Sequence, residues 1–371
     1  MFKVCHLTSA HKNNDVRIFH KECVSLASRG DLDVYLVAEG ESREQDGVHV
    51  IGVGKQPAGR KERALDFTKK VYEAALALDA DLYHFHDPEL LPTGRKLAAR
   101  GKAVIFDSHE NTSEQIMIRS YIPLAVRKAV SGAYRAYEKG SIKKFEGVIY
   151  PEEPTPFDSF AKRVAIVDNT PRLSEFYDRY TENDSKPGNV VCHVGSLDPE
   201  RGVPQLIKGC YRAGAKLILA GRFESEDYRK SLMDDESFSC VDYRGYVDRS
   251  RVTEIYNEAS IGASTLLNIG QYVIARNLPT KVYECMAMGL PLILSDTPYA
   301  REILKKYEFA KLVTPEDPDS IAEAIRSLSE NDELRKKMGM EARLAVKEKF
   351  NWTVDEAALF KLYDDILGRR K

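Results

Sequence analysis

Residues 290–294, Leu-Pro-Leu-Ile-Leu, are apolar at every position, so a strand built from them has no face that suits water. Such strands are stable where a parallel sheet is covered by helices on both sides. The preceding residues supply the crossover: Thr280 onward reads as a short helix, Gly289 as its left-handed stop, and Ser295-Asp296 as the end of the strand. Pro279 fits the first helical position, where a missing N–H is harmless. No Ser, Asp or Asn directly precedes it as a cap. The first amides of this helix are therefore candidates to receive an anion from outside, such as a diphosphate. Glu284 lies one turn beyond Thr280 on the same face, where a carboxylate can accept both hydroxyls of a ribose.

The same alternation of apolar run and helical period fills the rest of the chain. Residues 2–7, 33–38, 81–86, 102–106, 147–150 and 163–167 read as strands of a first half. Residues 189–194, 216–220, 241–244, 261–265, 290–294 and 310–313 read as strands of a second. Helices are expected over 16–28, 64–78 and 116–145, and from Trp352 to Leu367. With 371 residues the chain has room for two domains. The expected bounds are 1–170 joined by 353–371, a polar linker at 171–187, and 188–352. The fold class is α/β, two Rossmann-like doubly wound sheets rather than one large one.

Polar clusters fall where strands end, which is where open α/β sheets bind ligands. In the first half these are Asp15 and Arg17, His84-Phe-His86-Asp87, and Asp107-Ser-His109-Glu110. In the second they are Ser196 to Arg201, Gly221-Arg222, Gly245-Tyr246 and Asn277 to Lys281. Dinucleotide and phosphate-loop signatures are missing: no G-x-G-x-x-G opens the chain, and Arg60-Lys61 stand where a phosphate loop needs Lys-Ser/Thr.

A net charge of −2 gives no field for nucleic acid, and no apolar run approaches the ~20 residues of a spanning helix. The six cysteines form no C-x-x-C pair, which reads as reduced thiols in the cytosol. One stretch, 116–145, is strongly basic, with Arg119, Arg127, Lys128, Arg135, Lys139, Lys143 and Lys144 interleaved with tyrosines. It suits either solvent or the inner, anionic surface of a membrane.

The run Pro279-Thr-Lys-Val-Tyr-Glu284-Cys-Met-Ala-Met-Gly-Leu-Pro291 resembles the second-domain signature of the GT-B retaining glycosyltransferases, family 4. The strings Asp15-Val-Arg-Ile-Phe19, His84-Phe-His-Asp-Pro-Glu-Leu-Leu-Pro92 and Asp107-Ser-His-Glu110 are similar to first-domain motifs of a subgroup that assembles surface polysaccharides. Cys285 stands where Tyr is usual, Ser196 where a cation is common, and Arg276 where many relatives carry a first glutamate touching the sugar.

The resemblance implies a retaining transfer from a UDP- or GDP-linked sugar to a glycan or lipid-linked acceptor. The displacement would be same-face, with no metal and no further cofactor. It implies a C-terminal helix crossing back to the first domain. It places Ser196, Arg201, Arg222, Asn277, Thr280 and Lys281 at the donor diphosphate and sugar, and Tyr246 and Glu284 at the nucleoside. It sets His109 at the sugar, in a loosely catalytic role, and Asp15, Arg17, His86, Asp87 and Glu110 on the acceptor side. Two other readings stay open: a metal hydrolase using His84, His86, Asp107 and His109, and a non-catalytic nucleotide-sugar-binding subunit of the same fold.

Overall fold

The computed structural model describes residues 1–109, 111–118, 122–182 and 187–368. The chain divides into two compact units, Met1–Asn169 together with the segment from Thr353 onward, and Thr170–Trp352.

The first unit is an eight-stranded sheet. Its strands are β1 (Phe2–Leu7), β2 (Leu32–Ala38), β3 (Arg43–Gln45), β4 (Val48–Gly52), β5 (Leu82–Phe85), β6 (Ala103–Asp107), β7 (Gly147–Tyr150) and β8 (Val164–Ile166). They lie in the order β3-β4-β2-β1-β5-β6-β7-β8. All pairs are parallel except the β3–β4 hairpin. Every residue of β5, β6 and β7 is buried, as strands covered on both faces require.

The helix expected at 16–28 divides in two: Val16–Cys23 winds in wider, π-type turns and Val24–Ser28 is α-helical. Asp15 caps it, accepting the N–H groups of Arg17 at 2.9 Å and Ile18 at 3.0 Å. The single long helix expected over 116–145 is corrected to two, Thr112–Ile118 and Leu124–Ile142. Pro123 precedes the second at its cap, and Arg119 and Tyr121 lie outside the described residues. The last helix, Trp352–Leu367, packs in this unit. Gly147 makes room for it, since a Cβ there would stand 3.0 Å from Leu362 Cδ1.

The second unit holds β9 (Val190–Val194), β10 (Lys216–Ala220), β11 (Val241–Tyr243), β12 (Ile261–Ser264), β13 (Leu292–Ser295) and β14 (Ala310–Val313). All pair in parallel, in the order β11-β10-β9-β12-β13-β14. Counted within the unit this is the order 3-2-1-4-5-6 of a doubly wound sheet, and the direction of winding reverses between β9 and β12. The corresponding reversal in the first unit lies between β1 and β5.

Thr280–Ala287 is helical, and Gly289 has φ +67° as its stop. Pro279 stands just before the helix, with ψ 142°, instead of in its first turn. Of the stretch 171–187, read as a linker, residues 171–182 pack in the second unit, where Phe176 is buried in the core. A further helix, Asp332–Glu348, had no sequence expectation; Asn331 caps it through the Leu334 N–H at 2.9 Å.

Candidate functional site

In the second unit the loops that follow β9, β10 and β11 lie side by side. Gly221 approaches the β9 loop so closely that a Cβ on it would fall 1.7 Å from the Gly195 carbonyl oxygen, and its N–H donates to Gly245 O at 2.8 Å. The Leu197 N–H donates to Arg222 O at 3.0 Å. These bonds gather Ser196, Arg222 and Tyr246, three expected donor-site residues, on neighbouring loops. Ser196 and Arg222 are exposed. Tyr246 is 64% exposed, with the Arg222 guanidinium 4.5 Å from its ring centroid.

The β9 loop continues into a tight turn at Pro199–Arg201, capped by Asp198, which accepts the Arg201 N–H at 3.1 Å. Gly202 has φ +69°, and a Cβ on it would meet Thr265 O at 2.0 Å. This close approach sets Arg201 beside the end of β12. Arg201 Nε is buried and, among the described residues, makes no hydrogen bond; its nearest acid is Asp198 Oδ2 at 3.6 Å.

Lys281, in the first turn of Thr280–Ala287, completes the group. Its Nζ lies 2.8 Å from His193 Nε2. His193 Nδ1 lies 3.2 Å from Ala263 O, a group that can only accept. Nδ1 therefore carries the ring proton and Nε2 receives a hydrogen bond from Lys281. Burial and the nearby Arg201 charge lower the Lys281 pKa to about 7. No side chain caps the helix here, as the sequence led us to expect. Arg201, Lys281 and the open amides of Thr280–Ala287 thus meet at the winding reversal, a set of donors suited to an anion. Asn277 and Thr280 are partly exposed beside it. Arg276 turns aside to pair with Glu302 at 2.8 Å.

Glu284 is buried at 5% exposure and already engaged. Its carboxylate accepts Arg249 Nη1–H at 2.8 Å and the Tyr256 hydroxyl at 2.7 Å, and Arg249 also reaches Glu175 at 2.6 Å. Each carboxylate oxygen keeps a second lone pair for a ribose hydroxyl. His193 and Arg249 were not anticipated. A polar residue inside the apolar run 190–194 was the one available signal for His193; Arg249 becomes a neighbour only through packing.

In the first unit, His109 follows β6, and its Nε2 lies 3.0 Å from Asp107 Oδ2 with the side chain 22% exposed. Burial works against the Asp107 charge, yet Arg17 and His109 beside it hold its carboxyl well below the usual range. Asp87 is buried and accepts from Thr8 Oγ1 at 2.8 Å and from the Ser9 and Ala10 N–H groups at 2.6 and 3.1 Å. His86 is likewise buried, 3.2 Å from Asp107. Arg17, at 6% exposure, donates to both Asp107 oxygens and to Val167 O, each at 3.0 Å. Arg17, His86 and Asp87, expected on the acceptor side, are buried and hydrogen-bonded within the first unit. Asp15 serves as the helix cap described above and lies 3.5 Å from His11. Glu110 lies outside the described residues.

Several solved structures share this fold. Over its whole length the chain aligns with sucrose-phosphate synthase of Thermosynechococcus elongatus, with a TM-score of 0.77 at 17% identity and all of both chains covered. It aligns with Anabaena HepE in complex with UDP and glucose at a TM-score of 0.69 and 16% identity, covering 98% of this chain and 100% of that one. The fold is therefore the GT-B fold. The second unit supplies the closer assignment: residues 178–345 match the family Glycosyl transferases group 1. Among curated relatives, a phosphatidyl-myo-inositol mannosyltransferase of Mycolicibacterium smegmatis is 23% identical over 309 residues, 78% of this chain and 72% of that protein. An alpha-D-kanosaminyltransferase of Streptomyces kanamyceticus is 25% identical over 206 residues, 54% of this chain and 50% of that protein.

Proposed function

We propose that the protein transfers a sugar, with retention, from a nucleoside diphosphate donor to a glycan or lipid-linked acceptor in surface-polysaccharide assembly. The observation that carries this is the convergence of Arg201, Lys281 and an uncapped helix start at the winding reversal of the second unit. A departing nucleoside diphosphate carries about two negative charges. Two side-chain cations and a helix N-terminus can oppose that charge in the transition state. The helix alone offers ~0.3–1 kcal/mol at an exposed site, so the side chains dominate. In this reading no metal acts on the diphosphate. The departing phosphate takes the acceptor proton on the same face of the sugar, and no protein nucleophile is needed. Tyr246 stacks the base, Glu284 accepts the ribose hydroxyls, Ser196, Arg222, Asn277 and Thr280 line the donor, and His109, held by Asp107, touches the sugar. HepE, solved with UDP and glucose, supports a nucleotide-sugar donor of this kind.

The acceptor reading has one further support. On Leu124–Ile142 the apolar Leu124, Val126 and Val130 are exposed beside the exposed Lys128 and Arg135. This mixture suits an anionic membrane surface, although no helix among the described residues is long and apolar enough to cross one. Release of UDP or GDP from a panel of their sugars tests the donor reading. Arg201→Ala is expected to lower turnover ~10²–10³-fold; wild-type turnover in that variant would remove Arg201 from the site. Co-sedimentation with vesicles rich in anionic lipid tests the surface, and equal binding by Lys128→Glu would count against it.

A further inference from the structure

The donor chemistry leaves unused a group of side chains at the β1–β5 reversal of the first unit. His6 lies on β1 and pairs in register with His84 on β5. His86 is two residues beyond His84 and so on the same side. Glu22, from the helical segment Val16–Cys23, closes over them. All four are buried to 1% exposure or less. His6 Nδ1 and His86 Nε2 are 3.0 Å apart. Glu22 Oε2 lies 4.0 Å from His6 Nδ1, 3.8 Å from His84 Nε2 and 4.0 Å from His86 Nε2. The four atoms all lie within 4.8 Å of one another.

The outer nitrogens of the same rings are held from behind. Tyr363, on the last helix, places its hydroxyl 2.9 Å from His84 Nδ1 and 3.0 Å from His6 Nε2. Asp107 Oδ2 lies 3.2 Å from His86 Nδ1. Following the protons shows what this arrangement lacks. An ionised Asp107 only accepts, so His86 carries its proton on Nδ1 and offers a lone pair at Nε2. If His6 Nδ1–H donates to that lone pair, His6 Nε2 takes the Tyr363 proton. The Tyr363 oxygen then accepts His84 Nδ1–H, and His84 Nε2 is left as a lone pair facing the Glu22 carboxylate. Neither His84 Nε2 nor either Glu22 oxygen has a hydrogen-bond partner among the described residues. Arg17 Nε is 3.0 Å from Glu22 Oε1, but its N–H points to Asp107. Burial and the neighbouring Asp107 push the Glu22 carboxyl well above its usual range, so in the empty site it keeps a proton, yet at 3.8 Å that proton does not reach His84 Nε2 and the pair stays unbonded in a dry interior.

Distance decides between the two occupants that would cure this. A tetrahedral ion bound at ~2.0–2.1 Å sets its ligand atoms about 3.4 Å apart. A water at hydrogen-bond length sets its partners about 4.6 Å apart. The separations of 3.0, 3.8, 4.0 and 4.0 Å all fall short of the second value, and the shortest leaves no room for a bridging water. We propose that His6 Nδ1, His84 Nε2, His86 Nε2 and Glu22 Oε2 bind a divalent transition-metal ion of the zinc class. Three imidazoles and a carboxylate suit that ion, and the backing by Tyr363 and Asp107 is the outer support such ligands receive. Four protein ligands in a fully buried site leave no open position, so the ion is structural. It ties β1, β5, the first helical segment and, through Tyr363, the last helix. This set differs from the His84, His86, Asp107 and His109 set of the hydrolase reading, because Asp107 is already committed to Arg17. It also departs from the expectation of a metal-free chain, without touching the donor reading.

The test is metal analysis of the full-length protein, expressed with zinc available and dialysed against chelator-treated buffer. The expected result is about one ion per chain. Removal by a strong chelator should lower Tm, zinc should restore it, and cobalt(II) in its place should give the intense visible bands of a tetrahedral site. His84→Ala and Glu22→Gln should fall below about one tenth of the wild-type metal content, while His109→Ala keeps it. Wild-type protein without metal, whose Tm ignores chelator and zinc, would overturn the site, whether or not the variants fold. Retention of the ion by His84→Ala, or its loss in His109→Ala, would overturn the ligand set.

Discussion

At the scale of single residues, Lys281 carries the sharpest consequence. Its pKa of about 7, set by burial and then by Arg201, lies far below that of the unfolded chain. A lysine depressed in this way binds fewer protons folded than unfolded between the two values, so its penalty on stability is full below pH 7 and fades as pH rises toward 10. Lys281→Met is therefore expected to raise the Tm of the ligand-free protein at pH 6 and to raise it less at pH 9. The same variant should bind nucleoside diphosphate more weakly. The two effects separate in one set of thermal scans with and without ligand; a lower Tm in the absence of ligand would contradict the burial argument. Glu284→Ala is expected to weaken nucleotide binding and also to lower Tm, since its buried carboxylate pairs with Arg249 and accepts the Tyr256 hydroxyl. Unchanged affinity by calorimetry would remove the ribose contact.

At the scale of elements, the donor loops depend on backbone approaching backbone. Gly202 combines φ +69° with a Cβ position 2.0 Å from Thr265 O. Gly202→Ala is therefore expected to cost more than the ~1 kcal/mol of an ordinary left-handed alanine and to weaken diphosphate binding by displacing Arg201. Native Tm and affinity in that variant would refute the close approach. This scale also separates what the sequence reveals from what it hides. The runs 216–220 and 310–313 form strands at those bounds, each a short apolar run between helical segments. The break at Pro123 was hidden by an unbroken basic pattern on either side of it. Asp332–Glu348 was hidden by its charge, for its small buried face of Met338, Ala342, Ala345 and Val346 is spaced among exposed lysines and glutamates. Arg17 and Asp87 were expected on the acceptor side, and their burial was not legible because a sequence does not say which acid or base will be enclosed with a partner.

At the scale of the whole molecule, two doubly wound sheets each reverse their winding at one point, and each reversal gathers chemistry. In the second unit it gathers cations, in the first a buried set of imidazoles. The motifs at strand ends made the positions legible. The roles were less so, since His6, Glu22, His193, Arg249 and Tyr363 join their sites from strands and helices far away in the chain. The account rests on the claim that the second unit grips a diphosphate with Arg201 and Lys281. The direct test is calorimetric titration of UDP and of GDP from pH 6 to pH 9, with magnesium and manganese omitted, on wild type and Arg201→Ala. Binding by at least one nucleotide, weakening by up to tenfold per pH unit above about pH 7 as Lys281 loses its charge and weakened strongly in Arg201→Ala, is the predicted result. Affinity that ignores both pH and the loss of Arg201, or that appears only on adding a divalent cation, would contradict it.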